Sequence, residues 1–113
     1  MNHIMLDLET MGTGPNAAIV AIGAVEFELT KAGGQLGEAF YEIISLDSAQ
    51  ASGGQVDAST VLWWLKQTDA ARDMFTQPAK DNNVVLMNFR AWMAKRGDTK
   101  NLRVWGNGAS FDN

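Results

Sequence analysis

From His3 to Glu9 the chain alternates. Ile4, Leu6 and Leu8 fall on one side while Met5, Asp7 and Glu9 fall on the other, which is the period of a β-strand. Met11, Gly12, Gly14, Pro15 and Asn16 break the pattern as a loop. A second strand is predicted over Ala18 to Leu29, apolar throughout at its start and then alternating as Val25, Phe27 and Leu29 against Glu26 and Glu28. Lys31 to Gly37, with three glycines, reads as the hairpin connection to a third strand near Ala39 to Ser45. The first half is thus an antiparallel meander.

The period then lengthens. After a small, polar stretch from Leu46 through Gly53 and Gly54, a helix is predicted to begin near Asp57 or Ser59, both N-cap residue types. At about 100° per residue its apolar stripe contains Val61, Leu65, Leu62 and Trp64, with Trp63 on the opposite side. A short helical piece is expected over Asp69 to Phe75, before Pro78. Val85, Leu86, Phe89, Trp92 and Met93 carry the helical spacing over Asn82 to Arg96, and Lys95, Arg96 and Gly97 supply a basic last turn and a stop. Leu102 to Trp105 reads as another short strand. Trp64, Trp92 and Trp105 are expected in the core.

Composition narrows the class. With 113 residues, 46% hydrophobic and 19% charged, the chain is at most one soluble domain. There is no cysteine, hence no disulfide framework and no thiolate metal site. No signal-peptide pattern opens it and no apolar run nears the ~18 residues of a membrane span, so a cytoplasmic, membrane-free protein is expected. Thirteen acidic residues against nine basic give a net charge of −4, and the longest basic run is Lys95-Arg96, which argues against extended duplex binding.

Against this background Asp7 and Glu9 stand out. Acidic residues are depleted in strands, and two like charges on one face repel unless something positive holds them. One reading is a solvated strand face. The other is a divalent-cation site: side chains at i and i+2 emerge about 6.5 to 7 Å apart, a spacing from which both carboxylates converge on hard metal ions. Oxygen donors favour Mg²⁺ or Mn²⁺. The single histidine, His3, lies on the same face but ~13 Å further along the strand, and reads as structural or exposed.

The pair has company at the other end of the chain. DLETMGTGPNAAIVAIGAV resembles the first motif of the DEDD 3′→5′ exonucleases with the strand that follows it, and LRVWGNGASFDN resembles their second motif, a strand, an Asn-containing turn and Phe-Asp at a helix start. The resemblance runs from Met1 to Asn113. It is nearest to bacterial and phage exodeoxyribonuclease VIII-like or exoribonuclease-like proteins, which share STVLWWLKQ-type helices between the motifs. It implies an α/β, RNase H-like mixed sheet, an antiparallel meander followed by a parallel strand and flanked by helices. Asp7, Glu9 and Asp112 would be the catalytic metal ligands of a site for two Mg²⁺ or Mn²⁺ ions. Thr10 and Met11 match positions that contact the terminal nucleotide in relatives, and the partner would be the 3′ end of single-stranded DNA or RNA. Trp63, on the outer helix face, either stacks on a base or packs against a further segment or partner chain. Relatives carry a third motif, a His or Tyr base before a fourth carboxylate, which is not found up to Asn113. The chain is therefore expected to be the N-terminal part of an exonuclease domain, incomplete or inactive alone and open to self-association as a homo-oligomer. The alternative is a non-catalytic nucleic-acid- or protein-binding module that has kept the fold.

Overall fold

The computed structural model describes residues 1–30, 32–97 and 101–106. Four strands form one sheet: β1 (His3–Thr10), β2 (Ile19–Thr30), β3 (Gly33–Ile43) and β4 (Arg103–Gly106), in the order β3-β2-β1-β4. β1 and β3 flank β2 antiparallel, and β4 joins β1 in parallel, so the meander followed by a parallel strand is the observed topology. The helices are α1 (Leu46–Ala51), α2 (Ala58–Leu65), α3 (Asp69–Arg72), which runs into a 3₁₀ turn over Asp73–Thr76, and α4 (Asn82–Ala94).

Register sorts the side chains into two faces. Ile4, Leu6 and Leu8 of β1 share one with Ile22 and Ala24 of β2 and Phe40 of β3. Here the core forms, with Val20, Ile44, Ala49, Trp64 and Val85 buried together. α4 packs on this face: Phe89 and Trp92 meet Phe40 at ring-centroid distances of 5.3 and 6.0 Å. Arg96, just past the helix, reaches Glu26 and Glu38 at 2.9 Å each while stacking on Trp92. The hydrogen bond from the Glu38 backbone N–H, opposed by burial and aided by Arg96, holds the Glu26 carboxyl below its ordinary value.

Four expectations need correction. Gly33, Gly34 and Gly37 lie inside β3 rather than in a connection, because β2 runs on to Thr30 and pairs with Gly33 and Gly34, while Gly37 falls at the register shift opposite Val25 to Phe27. Gly37 is glycine for a packing reason: a Cβ there would collide with the Glu26 side chain and Met1 Sδ. The polar stretch after Leu46 contains α1, whose Ala49 is buried and whose Ser48 hydroxyl donates to the Ser45 carbonyl at 2.8 Å. On α2, Trp64 is the buried residue, while Leu62 and Leu65 are exposed; Leu65 ends the helix, and the seat of α2 is set by Trp64. Trp105 is 46% exposed on edge strand β4, where its indole N–H donates to His3 Nδ1 at 3.1 Å.

Candidate functional site

Asp7 and Glu9 emerge on the sheet face opposite α4, as alternate residues of β1, and both are half-buried. Across β2 they face Gly23 and Ala21, and beyond these Tyr41 and Ile43 of β3. Gly23 leaves room above the sheet that Tyr41 occupies: a Cβ at Gly23 would lie 3.5 Å from Tyr41 Cδ1. Partial burial, and then the negative charges of Glu9 and Asp7, push the Tyr41 phenol above its ordinary pKa.

The pairing of β1 with β2 shifts register between Glu9 and Thr10, and the chain turns away from the sheet there. Four hydrogen bonds fix that turn. The Trp64 indole N–H donates to the Thr10 carbonyl at 3.1 Å, and the Thr10 hydroxyl donates to the Gly12 carbonyl at 2.7 Å. Asp57, the N-cap residue of α2, donates its backbone N–H to the Met11 carbonyl at 2.8 Å and accepts from the Thr13 N–H at 3.2 Å. Gly12 is forced by this closeness, since a Cβ there would come within 2.9 Å of Asp57 Oδ2. The end of β1 is thereby clamped to both ends of α2, next to Glu9.

Two cavities open around that clamp. One, of about 380 Å³, is lined by Leu8, Glu9, Thr10, Thr13, Thr60 and Trp63. The second, of about 460 Å³, is lined by Glu9, Tyr41, Trp63, Ala70, Ala71 and Asp73. Glu9, Trp63 and Trp64 border both.

The residues singled out from the sequence are thus distributed unevenly. Asp7 and Glu9 share a face; Thr10 and Trp63 lie beside Glu9, and Trp63 is exposed. Met11 is buried in the core and lines neither cavity. Asp112 and the stretch from residue 107 onward lie outside the described residues. His3 stacks on Phe27 at a centroid distance of 5.1 Å and accepts from Trp105, a structural role. Among the described residues no group of three or more His, Asp or Glu side chains gathers as a metal site. The donor chemistry of the two carboxylates fits a hard divalent cation, which would also relieve their mutual repulsion. Tyr41 and the hydrogen bonds that Asp57 and Trp64 make to the turn were not found by sequence reasoning, which reads Asp57 as an N-cap candidate. The first depends on the β2–β3 register, and the others on where α2 docks.

The mixed sheet with its flanking helices makes an α/β domain similar to a nuclease fold. The crystal structure of cell-death related nuclease 4 (CRN-4) matches it with a TM-score of 0.57 over 94% of this chain at 15% identity, and this chain spans 34% of that one, about a third of its length. The chain belongs to the Rv2179c-like family, whose 3′-5′ exoribonuclease domain model matches residues 2–113. A comparison with curated proteins finds no match. No described helix is long and apolar enough to cross a membrane.

Proposed function

We propose that this domain is the N-terminal part of a metal-dependent 3′→5′ exonuclease that releases nucleotides from the 3′ end of single-stranded nucleic acid, with Asp7, Glu9 and Asp112 as metal ligands. One observation carries the reading: two carboxylates stand on an open sheet face, and one of them, Glu9, borders both cavities that flank an exposed tryptophan. Membership in a 3′-5′ exoribonuclease domain family supports it and favours RNA.

Mg²⁺ or Mn²⁺, when bound, supplies an activated water and stabilises the leaving 3′ oxygen. The chain's own residues do the rest. Asp7 and Glu9 present fixed negative charge to hold the cations, which reconciles an acidic protein with a phosphodiester substrate. Trp63 offers an exposed ring to the terminal base, and the Thr10 turn borders the same space. Trp64 and Asp57 hold that turn in place. His3, the single histidine, is engaged with Phe27 and Trp105, so the base of the reaction is a different residue.

The test uses 5′-labelled single-stranded RNA and DNA, with free or blocked 3′ ends, and both the 113-residue chain and a version continued through the residues its gene encodes downstream. The continued version is expected to shorten free 3′ ends stepwise, with chelator abolishing the ladder, while the 113-residue chain gives at most a trace. Asp7→Asn in the continued version is expected to reduce the rate at least about 100-fold, on the scale of losing a positioned catalytic group. Full activity in Asp7→Asn would remove Asp7 from the site. Tight oligonucleotide binding with no cleavage by any version would favour a binding module.

A further inference from the structure

The cavity between Trp63 and Tyr41 is given no occupant by the chemistry above. Its lining suits one kind of occupant poorly: it holds no lysine or arginine for a phosphate, and Asp73 is acidic. Its walls suit another. Trp63 and Tyr41 are both more than half exposed, with ring surface open to the cavity, and the small side chains of Ala70 and Ala71 leave room beside them. A volume of about 460 Å³ is ample for a planar base. The cavity adjoins the one bordered by Thr10, and Glu9 and Trp63 belong to both, as successive nucleotides of one strand would require.

Tyr41 holds its position through its neighbour. It sits across β2 from Asp7, and the intervening residue is Gly23, so the tyrosine ring leans over a strand position that carries no side chain. A Cβ at 23 would already be in van der Waals contact with the ring, at 3.5 Å from Tyr41 Cδ1.

We propose that this cavity is a second nucleobase subsite, with Tyr41 as the stacking platform for the base next to the 3′-terminal one. The inference rests on the exonuclease reading and adds to it a residue and a position in the substrate.

Binding of a 5′-fluorescein pentaadenylate, followed by anisotropy in Ca²⁺ with the probe verified intact, tests it. Two further probes lack the base at the terminal position or at the second position. Tyr41→Ala is expected to weaken binding of the intact probe about 10- to 100-fold, the range of one lost base stack. Tyr41→Phe should stay within about 3-fold, because the ring and not the hydroxyl carries the contact. Tyr41→Leu, which still covers Gly23, should bind as weakly as Tyr41→Ala. On the probe lacking the second base, all these proteins should bind alike. Equal losses on the intact and second-base-free probes, coupling to the terminal base, or intact-probe affinity unchanged in Tyr41→Ala and Tyr41→Leu would each overturn the subsite. If Asp7→Asn weakens binding while the Tyr41 variants do not, only the subsite falls. If the unsubstituted protein binds no probe, the exonuclease reading falls and the subsite with it.

Discussion

The two faces of the sheet are built on opposite rules. On the α4 face, apolar side chains interlock and three glutamates are held by partners: Glu26 and Glu38 by Arg96, Glu42 by Lys80 and Asn88. On the other face, Ala21 is buried, but Tyr41, Leu36 and Trp105 are exposed, and Asp7 and Glu9 lie side by side with like charge. The same strands make both faces, so the difference comes from what each strand places at alternate positions. A face that is covered and charge-balanced contributes stability. A face that keeps two carboxylates together and aromatic rings uncovered is suited to a ligand that brings positive charge and a flat surface.

That contrast breaks most readily by truncating one residue on each side. Ile22→Ala is expected to cost about 2 to 5 kcal/mol in urea denaturation, as for other buried aliphatic deletions, while Leu36→Ala on the open side should stay within about 0.5 kcal/mol. Comparable losses would show that the faces are not energetically distinct. A smaller effect belongs to Arg96. Its side chain is 6% exposed and joins the end of α4 to β2 and β3, so Arg96→Ala should cost about 1.5 to 3 kcal/mol, the range for charged hydrogen bonds. Arg96→Lys should restore only part of this, because an ammonium cannot span both carboxylates and stack on Trp92 as a planar guanidinium does.

The covered face also sets an acid response. The Glu38 N–H and Arg96 lower the Glu26 carboxyl, and hydrogen bonds from Asn88 and Lys80 lower Glu42 despite its burial. A carboxyl depressed in the folded state adds stability above its ordinary value of 4.5 and loses it as pH falls through the lower folded value. Denaturation midpoints should therefore decline on acidification below about pH 4.5, and Glu26→Gln should flatten that decline. A Glu26→Gln curve parallel to the unsubstituted one would contradict the assignment. The smallest expected change is on the open face. Asp7→Asn should move stability by no more than about 0.5 kcal/mol, and upward, since it removes one of two neighbouring like charges. Added Mn²⁺ should raise the thermal midpoint of the unsubstituted protein and leave that of Asp7→Asn unmoved. A loss above about 1 kcal/mol in Asp7→Asn would mean that Asp7 is part of the structural framework.

Local pattern settled much of this protein. Alternation fixed the faces of β1, including the shared side of Asp7 and Glu9, because side-chain direction in a strand follows position alone. Helical spacing located α4, whose Val85 is fully buried, and the motif at each end of the chain pointed to the exonuclease family. Where local signals competed, tertiary contacts decided. Glycines that read as a turn became strand because β2 extended to meet them, and a polar stretch became α1 because Ala49 found the core. The stripe of α2 narrowed to Trp64, whose indole N–H met the Thr10 carbonyl, and left Leu62 and Leu65 exposed. Tyr41 faces Asp7 only through the pairing of three strands, and nothing in residues 39 to 43 encodes which residue lies two strands away. Periodicity belongs to the backbone of one segment and can be read from it. Register and docking belong to pairs of segments, and only their packing selects which side chains meet around Glu9.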